Sequence, residues 1–131
     1  MEKEKSGATM PTILVVDDQT ANIEILHCIL QEEYRVVFAT NGQDALKLAK
    51  EQKPDLILLD VVMPGMDGYQ VCSVLQADPV TNGIPVIFVT SLNDMKYQAT
   101  GFSMGAVEYI VKPIDPDSVL DIVQQCLEKH Q

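Results

Sequence analysis

Long hydrophobic runs are missing from this sequence, and its longest apolar stretches, such as Leu56–Leu59 and Val86–Val89, are far too short to cross a bilayer. The first eleven residues are polar and charged, without the apolar segment that a secretory signal requires. We therefore expect a cytoplasmic protein that does not enter the membrane. Residues 1–11 are predicted to form a flexible tail ahead of a single domain at 12–131.

Positive charge and cysteine are also scarce. The chain has 9 Lys and Arg residues against 19 Asp and Glu residues, for a formal net charge of −10. Because binding to phosphates depends on cationic side chains, direct nucleic-acid binding is not expected. The cysteines, Cys28, Cys72 and Cys126, have no CxxC spacing, which argues against a disulfide framework or a zinc site and predicts reduced, mostly buried thiols.

What the sequence does contain is an alternation of short apolar runs and longer amphipathic segments. Strands are predicted at 13–16, 35–39, 56–59, 85–90 and 108–111, and helices at 20–31, 43–52, 69–77, 95–104 and after a cap at Asp115 or Asp117. Continuous apolar runs of this kind indicate strands that are buried on both faces. Short connections between five strand–helix units predict an α/β fold, a doubly wound five-stranded parallel sheet with helices on both faces.

Polar side chains lie at the end of four of the predicted strands or directly after it. Asp17 and Asp18 follow the first strand, Asp60 the third, Thr90 ends the fourth, and Lys112 follows the fifth. The carboxyl ends of parallel strands form the edge where such sheets bind ligands, so we expect these side chains to meet.

This cluster contains more negative than positive charge. Two carboxylates about 4 Å apart repel by roughly 4 kcal/mol at an effective dielectric near 20. Three must be protonated, splayed apart or neutralised, and a single lysine is not sufficient. Mg²⁺, which prefers hard oxygen ligands, would supply the remaining charge. Asp60 would then be the natural nucleophile for phosphoryl transfer, forming an aspartyl phosphate.

Four motifs in this order resemble the receiver domain of two-component response regulators: VVDD at 15–18, LLDVVMPGMDG at 58–68, VTS at 89–91 and VKP at 111–113. The resemblance covers about residues 12 to 130. It implies a flavodoxin-like (βα)5 receiver fold with strand order 2-1-3-4-5. It also implies a cis peptide bond between Lys112 and Pro113.

The resemblance further implies roles for the clustered residues. Asp60 would accept a phosphoryl group from a phosphohistidine on a histidine kinase or phosphotransfer protein. Asp17, Asp18, Asp60 and the backbone carbonyl of Val62 would bind Mg²⁺, and Lys112 would contact the phosphoryl group. The domain would thus be a phosphoacceptor that assists its own phosphorylation and dephosphorylation, and not an enzyme.

Two further residues are implied to act as switch residues, namely Thr90 through its hydroxyl and Tyr109 through an aromatic ring that swings inward. The surface formed by the fourth helix, fifth strand and fifth helix would then control an output domain or downstream protein, and could also pair two copies of the chain. Val62 and Leu92 are apolar and cannot orient an attacking water, which predicts slow to moderate self-dephosphorylation.

Three other functions compete with this interpretation. A haloacid-dehalogenase-type phosphatase should have a second Asp where this chain has Val62. A flavodoxin-like electron carrier should have a hydroxyl- and Gly-rich loop in place of Asp17 and Asp18. A pseudo-receiver, which binds partners without phosphorylation, normally lacks one of the clustered groups, and it stays as the alternative.

Overall fold

A computed structural model describes residues 10–130, so most of the predicted tail at 1–11 lies outside the described residues. The elements in chain order are β1 (Thr12–Val16), α1 (Thr20–Leu30), β2 (Arg35–Ala39), α2 (Gly42–Gln52), β3 (Leu56–Leu59), α3 (Gly68–Ala77), β4 (Val86–Thr90), α4 (Met95–Ser103), β5 (Glu108–Val111) and α5 (Pro116–Lys129). The predicted element types are confirmed, and the boundaries predicted by residue number agree with the structure to within one residue. Over this range, no helix has the length and apolar character needed to span a membrane.

All strand pairs are parallel, and the sheet order is β2-β1-β3-β4-β5, which confirms the predicted doubly wound fold. Successive residues of a strand point to opposite faces, so each central strand contributes to two cores. In β1, Ile13 and Val15 pack with α1 and α5, whereas Leu14 and Val16 pack with α2 and α3. Burial on both faces explains why the central strands are continuous apolar runs.

Polar residues before the helices determine where those helices begin. The side chains of Asn41, Asp67, Asp94 and Asp115 each accept a hydrogen bond from a backbone N–H in the first turn of the following helix. Such caps satisfy backbone donors that have no partner within the helix. Asp115, and not Asp117, is therefore the cap of α5.

The predicted burial of the cysteines holds for two of the three. Cys72 and Cys126 are buried, and burial raises the pKa of the Cys72 thiol to about 11. The prediction is wrong for Cys28, which is exposed. Helix α1 contains more apolar side chains than one face can bury, and Ile23 and Leu26 occupy the face towards the sheet.

Candidate functional site

The register of the sheet places the acidic side chains side by side. Val16 of β1 is paired with Leu59 of β3, and the Asp60 amide donates a hydrogen bond to the Val16 carbonyl. The residues that follow these two strands are therefore neighbours. One carboxylate oxygen from each of Asp17, Asp18 and Asp60 lies within 4.8 Å of the others, as the strand-end pattern predicted.

Lys112, which directly follows the edge strand β5, also belongs to this cluster. Its amide donates to the Thr90 carbonyl, which continues the pairing of β4 with β5 by one residue. Its Nζ lies 2.9 Å from Asp17 Oδ2 and 3.3 Å from Asp60 Oδ2. Asp17 and Asp60 are both buried, so these contacts are shielded from solvent. One ammonium group therefore bridges the two buried carboxylates.

The surroundings of Asp60 act on its pKa in opposite directions. Burial raises the pKa most strongly, since it disfavours the charged form. The ammonium of Lys112 lowers the pKa, the carboxylate of Asp17 raises it, and hydrogen bonds from the Thr90 hydroxyl and the Val62 amide lower it. The net effect is a pKa above the ordinary value, so ionised Asp60 is held at a cost in free energy.

The donor set fits a hard divalent cation. The three-carboxylate group contains neither His nor Cys, and oxygen ligands are those that Mg²⁺ prefers. Within residues 10–130, Lys112 is the single cation paired with these carboxylates, which leaves an excess of negative charge. A cavity of about 290 Å³ opens onto Asp18, Asp60, Val62 and Lys112, which leaves room for an ion and its waters.

The two predicted switch residues lie next to this cluster. Thr90 is fully buried at the end of β4, and its Oγ1 accepts a hydrogen bond from the Leu92 amide at 3.4 Å. Tyr109 is half-buried, and its hydroxyl donates to the Leu92 carbonyl at 2.8 Å. Thr90 and Tyr109 are thus connected through one residue, although a switching role for either stays a prediction. The peptide bond between Lys112 and Pro113 is cis.

Sequence reasoning missed one residue near the site. Tyr69 marked only the beginning of the third predicted helix, yet its hydroxyl donates to the Tyr97 carbonyl of α4 at 2.9 Å. Its ring packs edge-on against Phe88, with centroids 5.3 Å apart. No local pattern could have revealed this contact, because the two tyrosines are 28 positions apart.

The protein has a parallel sheet of order 2-1-3-4-5, with an acidic cluster and a lysine at the carboxyl edge of the sheet. These features place it in the class of receiver-like α/β domains. Residues 13–124 match the family model described as the response regulator receiver domain. The chain belongs to this family.

Among curated relatives, the chain is 37% identical over 119 residues to protein PilH of Pseudomonas aeruginosa, covering 90% of this chain and 98% of PilH. It is 47% identical over 104 residues to the response regulator PleD of Caulobacter vibrioides, covering 79% of this chain. That match spans only 23% of PleD, so most of PleD has no counterpart in this alignment.

Solved structures show the same fold. A response regulator described as putative, from Chloroflexus aurantiacus, superposes with a TM-score of 0.87 at 32% identity, covering 92% of this chain and 99% of that one. The receiver domain of a sensor histidine kinase from Pseudomonas aeruginosa superposes with a TM-score of 0.84 at 26% identity, with the same coverage. That structure has a magnesium ion coordinated in its active-site cleft.

Proposed function

We propose that this receiver domain accepts a phosphoryl group on Asp60. The observation that carries the proposal is the position of the Asp60 carboxylate, which is buried at the end of β3, bridged by Lys112 and open to a small cavity. In the transfer, a bond forms between a carboxylate oxygen of Asp60 and phosphorus. The bond from phosphorus to the histidine nitrogen of a donor kinase or phosphotransfer protein breaks, and its electron pair leaves with that nitrogen.

The transfer would use Mg²⁺, held by the carboxylates of Asp17, Asp18 and Asp60 and by the backbone carbonyl of Val62. When bound, the ion would offset the negative charge of these carboxylates and of the phosphoryl oxygens. Asp17 supports this arrangement in a second way, since its Oδ2 lies 2.9 Å from Nζ of Lys112 and holds that side chain over the cavity.

Lys112 and Thr90 would act on the phosphoryl group itself. The Lys112 ammonium lies 3.3 Å from Asp60 Oδ2 and would pair with a phosphoryl oxygen once Asp60 is esterified. The Thr90 hydroxyl, whose oxygen accepts a hydrogen bond from the Leu92 amide, would donate its proton to another oxygen of the same group. Neither residue turns over a substrate, so the domain acts as a phosphoacceptor for signalling that assists its own phosphorylation and dephosphorylation, and not as an enzyme.

Phosphorylation adds about −1.5 to −2 units of charge at Asp60 and would draw Thr90 towards it. Because Leu92 contacts both Thr90 and Tyr109, this movement would repack the surface of α4, β5 and α5. That surface would then bind an output domain, a downstream protein or a second copy of the chain. The cytoplasmic location remains a prediction.

The test is phosphorylation by a small-molecule donor. Incubation with acetyl phosphate and Mg²⁺ should increase the intact mass by one phosphoryl group. Asp60→Asn should abolish the increase, because an amide oxygen is a poor nucleophile. The control variant Asp121→Asn, which alters an exposed aspartate on α5, should be phosphorylated like the wild type. An unchanged mass in the wild-type protein would overturn the proposal and favour the pseudo-receiver alternative.

A further inference from the structure

Two tyrosine hydroxyls hold the segment that leads from β4 into α4, residues 91–97. The Tyr109 hydroxyl donates to the Leu92 carbonyl at 2.8 Å, near the beginning of this β4–α4 segment. The Tyr69 hydroxyl donates to the Tyr97 carbonyl at 2.9 Å, at its end. The two tyrosines come from β5 and α3, so the segment is attached to elements on either side of β4.

The ring of Tyr69 is fixed by its packing. It contacts the fully buried Phe88 edge-on, with the planes at 79°, and Phe88 in turn lies 6.1 Å from the Tyr109 ring. Helix α4 lies close over these rings, since a Cβ placed on Gly101 would be 3.0 Å from both Phe88 and Tyr109. With its ring held in this way, the Tyr69 hydroxyl remains directed at α4, and a movement of α4 away from the sheet must break its hydrogen bond to Tyr97.

Leu92, which belongs to the same β4–α4 segment, also contacts Thr90. The Leu92 amide donates to Thr90 Oγ1 at 3.4 Å, while the Leu92 carbonyl accepts from Tyr109. Strands β3 and β4 are paired as far as Leu59 with Phe88, so the buried residues Asp60 and Thr90 lie at the same end of two neighbouring strands. The conformation that the two tyrosines stabilise is therefore one in which Thr90 lies beside Asp60.

We infer that Tyr69 is a positioning residue for the acceptor site. Its hydroxyl anchors the first turn of α4, and this anchor keeps the β4–α4 segment in the conformation that holds Thr90 beside Asp60. The inference rests on the proposed function, since it concerns the group that would receive a phosphoryl group. It adds a contact between α3 and α4 to the switch residues that the family resemblance implied, Thr90 and Tyr109.

The experiment compares Tyr69→Phe with Tyr97→Phe. The first variant keeps the ring against Phe88 and removes the donor, whereas the second removes a hydroxyl from the segment itself and leaves the accepting backbone carbonyl intact. For the wild-type chain and for each variant we would measure amide hydrogen exchange across residues 91–103, thermal unfolding, and the rate of phosphorylation by acetyl phosphate with Mg²⁺.

Tyr69→Phe should increase exchange in residues 95–101 and slow phosphorylation by about fivefold, the change that corresponds to the loss of one neutral hydrogen bond. Tyr97→Phe should match the wild type in both measurements. The midpoint of thermal unfolding, measured for all three proteins, identifies any loss of global stability that would explain a slower reaction without a positioning role.

The inference is overturned if Tyr69→Phe phosphorylates at the wild-type rate, if its slower rate only parallels a lower global stability, or if Tyr97→Phe shows the same defect. Failure of the proposed function is distinguishable from these results, because the wild-type protein would then take up no phosphoryl group. Hydrogen exchange would still report on the anchor itself in that case, and unchanged exchange in Tyr69→Phe would also overturn the inference.

Discussion

Asp60 is a buried carboxyl group whose charge the surrounding protein only partly offsets. Its pKa is raised above the ordinary value of 3.8, with burial as the main cause and Asp17 as a further one, and Lys112 counteracts both. A raised pKa in the folded state means that the folded domain binds the proton more tightly than the unfolded chain does. The contribution of Asp60 to stability is therefore favourable at low pH and is lost as the pH rises through its folded-state pKa.

Asp60→Asn is accordingly expected to stabilise the domain at neutral pH, by about 1 kcal/mol, because the amide has no charge to bury or to repel Asp17. The stability difference between variant and wild type should shrink as the pH falls from about 7 to about 4, since protonation then neutralises Asp60 in the wild type as well. Chemical denaturation at a series of pH values measures both effects. A variant less stable than the wild type at pH 7 would contradict this account.

The residue two positions beyond Asp60 and the residue two positions beyond Thr90 also bear on how long a phosphoryl group would persist. Val62 is 54% exposed and Leu92 is half-buried, and neither side chain can hydrogen-bond an attacking water. We expect the acyl phosphate to decay over minutes or longer once the donor is removed, as followed by intact mass. Decay within seconds would refute this expectation. Val62→Asn, which supplies a polar side chain next to the site, should accelerate the decay.

At the scale of single elements, the loop between β3 and α3 depends on close contact between two stretches of backbone. The Gly68 amide donates to the Val61 carbonyl at 2.8 Å, and a Cβ on Gly68 would collide with the Asp60 carbonyl oxygen. No side chain fits there without movement of the backbone that carries Asp60. The cap of α3 and the position of the Asp60 carboxylate are therefore set by the same turn.

Gly68→Ala should destabilise the domain by about 2–3 kcal/mol, because the added methyl group forces the two stretches of backbone apart. The variant should also be phosphorylated more slowly than the wild type if Asp60 is the acceptor. Gly83→Ala is the matched control, since a Cβ at Gly83 meets no atom within 4 Å, and its stability should stay near that of the wild type. Equal stability of the two variants, measured by urea denaturation, would rule out the proposed backbone contact.

At the scale of the whole molecule, the sheet separates two apolar cores, and its carboxyl edge concentrates acidic groups in a chain of net charge −10. The carboxylates of Asp17, Asp18 and Asp60 therefore repel one another at this edge. A cation that binds there, and not to the unfolded chain, would stabilise the whole domain through mass action.

Magnesium should therefore raise the midpoint of thermal unfolding beyond what sodium chloride of equal ionic strength achieves. At an ion concentration about 100 times the dissociation constant, the expected stabilisation is about 2.7 kcal/mol. Removing the ion with a chelator should reverse the increase. Asp18→Asn, which changes the most accessible carboxylate of the cluster, should remove most of the magnesium-specific effect, and its persistence there would contradict a site at this edge.

Much of the fold follows from local patterns in the sequence. Apolar runs identify the buried strands, amphipathic periodicity identifies the helices, and the residues directly after the strands identify the members of the acidic cluster, because parallel strands must end at one edge. Asp60 and Lys112 could be selected in this way although 52 positions separate them.

Other features were decided only by the packing of distant elements. The exposure of Cys28 depends on which face of α1 meets the sheet, and the hydrogen bond from Tyr69 to Tyr97 depends on how closely α4 approaches α3. Local periodicity states that a helix has an apolar face, but it does not specify the rotation or the distance at which that face packs. Those quantities arise from side-chain volumes across both cores, and they determine which hydroxyl reaches which carbonyl.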